Sequence, residues 1–394
     1  MNQEMGSKAS PETTVWDVLH LPGSPHIPSS INVPHAWLLL GPTGSGKRAT
    51  ALAMAAAFNC PERPGVGCGV CSTCTRIISG RYPDLHLIAP EGQVISVEMI
   101  RAGVIPEAAR SPFEARRKVF VIEEAERMHP SAQNALLKTL EEPPADTIII
   151  LVCDQEDELL ETVRSRCRVV HFERVPCEAI QAILEAEGAE PPAARLAARI
   201  ADGDINRARS FAFEPEAQSR HRSFAGVPVR LTSSLEALDA AAEIVSEAAT
   251  AVKERTEAQK QEVAELAAAL GEGRGTASAR ASLAKRHKRE LRRLENEVLN
   301  EALWSIASWY RDVLTARRSA PGAIVDLDLT PDQVRWAVAL EPDDRSLVAA
   351  IHRCATTPGA LARNANPSLA IEATLVELAR LAPPPPESVT VDLS

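Results

Sequence analysis

Three groups of residues have the types and spacing to do chemistry. The first is Gly41-Pro42-Thr43-Gly44-Ser45-Gly46-Lys47, the G-x-x-x-x-G-K core of a phosphate-binding loop. Glycines let backbone N–H groups close around phosphate oxygens, and a lysine at the end adds a point charge toward the outer phosphates. Gly41, Gly44, Ser45, Gly46 and Lys47 are therefore candidate nucleotide or phosphate contacts. The next position normally carries the Ser or Thr hydroxyl that holds Mg²⁺. Here it is Arg48.

The second group is Glu123-Glu124 at the end of the apolar run Val119-Phe120-Val121-Ile122. In the second nucleotide motif, an apolar strand ends in two acids: the first helps to hold Mg²⁺ and the second polarises water. Glu123 stands where Asp is usual. With Arg48, that alters the magnesium side twice. The plainer reading of Glu123 and Glu124 is a buried strand followed by a solvated acidic helix start.

The third group is Cys60, Cys68, Cys71 and Cys74, with Gly65, Gly67 and Gly69 among them. Three thiolates at two-residue gaps in a glycine-containing knuckle can wrap one tetrahedral ion, and Cys60 closes the set from the preceding helix. Four protein ligands leave no open position, so such a zinc staples a loop and activates no water. An iron–sulfur cluster uses the same four thiolates and is the competing reading. Cys167, Cys177 and Cys354 lack ligand spacing and read as packing residues.

The elements that must position these groups alternate. Strand-like runs fall at Trp37–Leu40, Asp84–Ile88, Lys118–Ile122, Thr147–Val152 and Arg168–Phe172, with helices between them, one of them over Pro130–Glu142 stopped by Pro143-Pro144. That alternation predicts an α/β, doubly wound parallel sheet, whose ligands bind at the carboxyl ends of the strands. Beyond residue 175 the pattern turns helical. Two long Ala-, Glu-, Lys- and Arg-rich stretches over 235–316, parted near Gly271–Gly275, predict a helical hairpin. Its second arm carries Lys285-Arg286-His287-Lys288-Arg289 with Arg292-Arg293, read as a solvated face balanced by Glu243, Glu247, Glu254, Glu257, Glu262 and Glu265, with DNA or partner contact as the alternative. His129 opens a helix without a partner that the sequence reveals.

The bulk numbers bound the function. The 394 residues allow two or three domains. A net charge of −10 argues against a chain that coats nucleic acid by itself. The sequence contains no membrane-spanning run and no positive-then-apolar leader, so a cytoplasmic protein without membrane contact is expected. Eight cysteines in such a compartment are not a disulfide framework.

The loop, the cysteine knuckle, His129-Pro130-Ser131-Ala132-Gln133-Asn134-Ala135-Leu136-Leu137-Lys138-Thr139-Leu140-Glu141-Glu142-Pro143-Pro144, and Ser165-Arg166-Cys167 together resemble the bacterial DNA polymerase III clamp-loader AAA+ family. The segment Asn364–Glu372 looks like that family's ring-forming helical collar. The resemblance covers roughly residues 35–215 and 296–382. It implies an AAA+ P-loop domain with a zinc-knuckle insertion, a small helical lid and an all-α collar. It also implies a role for Arg166 as an arginine finger, acting in trans on a neighbour's nucleotide. The bland reading of the arginines around it is a solvated loop.

Within the family are ATP-hydrolysing tau/gamma-type motors and a delta-prime type with degenerate nucleotide motifs. This chain is most similar to the delta-prime type. Arg48, Glu123, Cys153-Asp154 (where threonines usually sense the terminal phosphate) and Asn206 (where the motor carries Arg) all depart on the cis site, while Ser165-Arg166-Cys167 is intact. A motor subunit is the first rival reading, and a zinc-stabilised adaptor outside replication the second. The expected organisation is a loose polar N-terminus (1–34), the P-loop domain (35–173) with the cysteine module (60–74), a lid (174–234), a charged hairpin (235–295), a collar (296–382) and a disordered tail (383–394). Implied partners are motor and delta-type subunits, the sliding clamp and primer–template DNA. Structural Zn²⁺ is expected; binding of ATP and Mg²⁺ is left open; hydrolysis and polymerase chemistry are not expected.

Overall fold

The computed structural model describes residues 14–19, 33–90, 94–270, 274–318, 344–362 and 365–381, without side chains at 265–270, 274–283, 285–286, 289, 316–318 and 362. The chain divides into two compact units, one ending at Arg209 and one beginning at Ser210.

The first unit is built on a five-stranded sheet. Its strands are β1 (Ala36–Leu40), β2 (Leu85–Ile88), β3 (Lys118–Ile122), β4 (Thr147–Cys153) and β5 (Arg168–His171), in the order β2-β3-β4-β1-β5, with every pairing parallel. Parallel neighbours need crossovers, and the helices that supply them cover both faces. That explains why β1, β3 and β4 are buried from end to end. Alternate residues serve opposite cores. Trp37, Leu39, Val119, Val121, Ile148 and Ile150 face one cluster, while Leu38, Leu40, Phe120, Ile122, Ile149 and Leu151 face the other.

Helices α2 (Lys47–Asn59) and α3 (Ser72–Ile78) contribute to the first of these clusters, and α5 (Pro130–Glu141) to the second. Short helices α4 (Ile105–Ala108) and α6 (Glu161–Arg164) lie in the connections. The helix expected over Pro130–Glu142 is thus present and ends one residue earlier. Its first residue is capped from outside: the imidazole Nδ1 of His129 accepts from the Ser131 backbone N–H and lies 2.7 Å from the Ser131 hydroxyl. His129 has a partner after all, one that only the cap geometry reveals.

Part of the N-terminus expected to be loose is a built element. Thr14 caps the short helix α1 (Val15–Val18) in a reciprocal box with Asp17. Val15 and Trp16 are buried in the same core as α2 and the cysteines. The rest of that expectation, residues 1–13 and 20–32, lies outside the described residues, as does the tail from residue 382.

Beyond the sheet, α7 (Cys177–Ala186), α8 (Pro191–Ile200) and the start of α9 (Ile205–Phe213) complete the first unit. The second unit holds α10 (Pro215–Ala225), α11 (Val227–Arg230), α12 (Ser234–Leu270), α13 (Arg274–Arg318), α14 (Asp344–Ala362) and α15 (Pro367–Leu381). The lid drawn over 174–234 therefore divides. Phe224, Val227 and Leu231 are buried in the second unit's core, because α10 and α11 are too short to bury an apolar face alone.

The hairpin and the collar share that core as well. Ala237, Ala240, Ala241, Ile244 and Ala248 of α12 pack with Leu299, Leu303, Ile306 and Trp309 of α13 and with Ile371, Leu375 and Leu378 of α15. Helix α13 runs unbroken through the boundary drawn at 295/296. Higher on the hairpin the arms are joined by polar groups. Arg255 bridges Glu290 at 2.8 Å and Glu262 at 3.0 Å, and His287 lies 3.2 Å from Glu262. The side chains of Lys285, Arg286, Arg289 and Glu265 lie outside the described residues. Among the described residues, no helix is long and apolar enough to cross a membrane.

Candidate nucleotide site and metal centre

Strand β1 delivers the loop and α2 receives it. Gly46 caps α2 in the left-handed region at φ 89°, and Gly44 sits at φ 74°, conformations that L side chains rarely adopt. Gly44 is also a point of close approach. A Cβ there would lie 2.1 Å from the carboxylate of Asp204, whose own oxygen caps α9 by accepting from the Asn206 and Arg207 N–H groups. The Ile205 N–H donates to the Gly44 carbonyl at 3.1 Å. Asn206, expected at a sensor position, is thus represented in this site by its backbone.

Lys47 is buried, and its ammonium is fully engaged by its own chain. Nζ donates to the Gly41 carbonyl at 2.6 Å and the Pro42 carbonyl at 2.5 Å, and it lies 2.9 Å from Asp154 Oδ1. The other Asp154 oxygen accepts from the Thr43 hydroxyl at 2.5 Å. Strand order explains the meeting: Leu40 pairs with Cys153, so the residue following β4 emerges beside the residue following β1. The Asp154 N–H in turn donates to Glu126 Oε2 at 3.2 Å. Burial and the nearby Asp154 charge raise the Glu126 carboxyl above its usual range, although hydrogen bonds oppose them. Burial and Glu126 likewise push the Cys153 thiol up to about 12.

The magnesium side is occupied too. Arg48 Nε donates to Glu123 Oε1 at 2.6 Å. The residue in place of the metal-binding hydroxyl is therefore paired with the residue in place of the metal-binding acid, and a guanidinium stands where the motif would bridge the same two positions through a divalent ion. Glu124 turns away, at φ 51°, and pairs with Arg127 at 2.6 Å.

Arg166 lies elsewhere in the first unit, just after α6. Its Nε donates to Glu141 Oε1 at 2.7 Å and its Nη1 to the Thr162 carbonyl at 2.9 Å, with the side chain about one-third exposed. The neighbouring arginines are engaged as well. Arg164 pairs with Glu156, and the Arg168 guanidinium stands 5.2 Å over the Trp37 ring. Each of the three arginines has a partner within the chain, while Arg166 and Arg168 remain exposed to solvent.

The four cysteines meet. Cys60 closes the end of α2 and Cys71 caps α3, bringing the Sγ atoms of Cys60, Cys68, Cys71 and Cys74 within 4.8 Å of one another. Two of the separations, Cys60 to Cys71 and Cys68 to Cys74, are 3.9 Å. A tetrahedron with Zn–S bonds of about 2.3 Å has edges of about 3.8 Å, so the donor set fits one such ion. Backbone N–H groups of Arg63, Cys71 and Cys74 aim at the sulfurs of Cys60, Cys68 and Cys71 at 3.3 to 3.4 Å. Burial pushes the Cys68 thiol up, but donors from Val70 and Cys71 outweigh it and bring it to about 7. Burial raises Cys71 and Cys74. Helix α1 lies directly on the knuckle: the Val15 N–H donates to Gly67 O at 2.9 Å, and a Cβ on Gly69 would meet Val18 at 2.6 Å.

Sequence reasoning named the loop, the acids and the cysteines, but it missed Thr43, Glu126, Glu141 and Asp204 as partners. Only Asp204, which follows a glycine and precedes a helix, carried a readable cap signal.

The family-model match falls on the first unit. Residues 27–176 match a family model described as DNA polymerase III, delta subunit. The chain is 39% identical over 166 residues to DNA polymerase III subunit delta' of Bacillus subtilis, covering 42% of this chain and 50% of that protein. It is 41% identical over 138 residues to subunit delta' of Pseudomonas aeruginosa, covering 34% and 41%. It is 35% identical over 184 residues to subunit tau of Salmonella typhimurium, covering 45% and 28%. The chain thus spans about half, or less, of the length of the curated relatives it matches.

Proposed function

We propose that this chain, a delta-prime-like clamp-loader protein by its first unit, serves as a structural member of a DNA polymerase III clamp loader in the cytoplasm. In this reading it stands in a ring beside tau/gamma-type motors and a delta-type subunit. The ring opens a sliding clamp and places it on primer–template DNA. The second unit's helical core supplies the collar. One structural Zn²⁺, held by Cys60, Cys68, Cys71 and Cys74, fixes the knuckle and α1 to α2.

The observation that carries this reading is the Arg48–Glu123 ion pair. A motor needs a divalent ion between the phosphates and these two positions. Here both are engaged with each other, so the chain contributes no hydrolysis of its own. What it contributes is Arg166. Its guanidinium is partly exposed beside β5, an edge strand of mostly exposed residues, and Glu141 holds it in one orientation. A positive group placed so as to meet a neighbour's terminal phosphate stabilises the charge that develops during transfer.

The test is the reconstituted loader with clamp and primed DNA. Arg166→Ala should leave assembly intact and slow the neighbour's site by about 10²-fold or more. Lys47→Ala should change turnover little. Unchanged turnover in Arg166→Ala removes the trans role. Vigorous ATP turnover by this chain alone, abolished by Lys47→Ala, would make it a motor, the reading that the tau similarity favours.

A further inference from the structure

We infer that Asp154 is an internal substitute for a nucleotide phosphate, and that its carboxylate keeps nucleotide out of the P-loop. The inference rests on reading this loop as a retired nucleotide site, and it is independent of any role for Arg166.

A P-loop recognises phosphate with a lysine ammonium, neighbouring hydroxyls and backbone N–H groups. In this chain the ammonium and one hydroxyl already hold an anion. Asp154 Oδ1 lies 2.9 Å from Lys47 Nζ, and Asp154 Oδ2 accepts from Thr43 Oγ1 at 2.5 Å. One carboxylate thus bridges two of the loop's donors from opposite ends, as a phosphate group bridges them with two of its oxygens. The carboxylate is aimed by its own backbone, whose N–H is fixed on the half-buried Glu126. Asp204, which caps α9 and pairs with Arg207, closes against Gly44 and leaves the loop no room there for a side chain.

An incoming polyphosphate would meet three obstacles. It would have to break the Lys47–Asp154 pair, strip Thr43 of its acceptor, and then lie beside the displaced, like-charged carboxylate. Arg48 presents a different case. It replaces a metal ligand and pairs with Glu123, but it engages none of the loop's phosphate donors. The structure therefore separates two losses: Arg48 and Glu123 remove metal chemistry, whereas Asp154 removes nucleotide binding itself.

Equilibrium binding of a fluorescent ATP analogue to the full-length chain, with Mg²⁺ and with EDTA, tests this. The wild-type protein and Arg48→Thr should bind weakly and alike. Asp154→Asn, which keeps the shape and removes the charge, should bind about tenfold more tightly than the wild type. Asp154→Ala should bind at least as tightly as Asp154→Asn, and adding Lys47→Ala should abolish the gain in either background. Thermal melting of each variant shows that it is folded, and if Asp154→Ala does not fold, the isosteric Asp154→Asn decides alone. Wild-type binding as tight as that of Asp154→Asn would overturn the inference. So would a gain that appears with Arg48→Thr and not with Asp154→Asn, or one that survives the loss of Lys47. None of these readings involves loader turnover, so a failure here leaves the trans proposal standing and is distinguishable from its failure.

Discussion

The P-loop and the cysteine knuckle are both ligand sites by sequence, they flank the same helix α2, and the fold treats them oppositely. At the knuckle, four sulfurs converge within 4.8 Å, and backbone N–H groups aim at three of them. At the P-loop, Lys47, Thr43, Arg48 and Glu123 each have a partner in the chain. Convergent donors with no side-chain partner but one another can still take up an ion. Donors neutralised by their neighbours form a scaffold. A motif reports which residue types are present, whereas use depends on whether the surrounding chain competes for them.

The largest test breaks the knuckle side. Cys74→Ser, or prolonged exposure to a strong chelator, should remove one zinc per chain and collapse the first unit's cooperative melting. Structural zinc contributes about 10–16 kcal/mol, as much as a whole domain's net stability of about 5–15 kcal/mol. Metal analysis that finds no zinc, or a melting curve indifferent to chelator, would reduce the knuckle to a packed thiol cluster.

A middle-sized test uses a carboxylate that serves only the fold. Asp84 is buried and accepts from the N–H groups of Phe113, Glu114 and Ala115 at 2.7 to 2.9 Å. Burial opposes its charge, but those donors and Lys118 outweigh it and hold its carboxyl below the usual range. Asp84→Ala orphans three donors and should cost about 3 kcal/mol in denaturant unfolding. Because the folded pKa is depressed, Asp84 stabilises above its unfolded pKa, and that contribution disappears as pH falls through the folded value. The variant's stability should therefore fall less steeply with acid than the wild type's.

Glu126 has the opposite sign. Burial raises its carboxyl, so its contribution is full below the unfolded pKa and is lost as pH rises through the folded one. Glu126→Gln should flatten that loss and leave the protein as stable at neutral pH as the wild type, or slightly more so. A clear destabilisation there would mean that the Asp154 N–H needs the charged form.

The smallest effect is expected at Arg48→Thr. Its pair with Glu123 joins a guanidinium about half exposed to a mostly buried acid, and ion pairs of this kind contribute about 1 kcal/mol or less. The substitution should barely move the melting temperature. It should also fail to create turnover, since Asp154 still occupies Lys47.

Much of the first unit was legible in the sequence, because short apolar runs bounded by turns have few ways to be buried. All five strands lie where β-rich runs alternate with helical ones. The cysteines could be read from spacing because their geometry is local. Asp154 could be named but not understood: its meaning depends on β4 lying beside β1, a pairing of residues more than a hundred positions apart. The second unit was read less well. Spacing in Ala-rich helices fixes which face is apolar but not which helix covers it, so hairpin and collar looked separate although Ala240, Leu303 and Leu375 share one core.

The contrast between the two sites is tested most directly by native mass spectrometry of the full-length chain in millimolar ATP and Mg²⁺. The predicted spectrum shows one zinc per chain and no bound nucleotide. A chain carrying one ATP with its magnesium, and no zinc, would contradict the account on both sides at once.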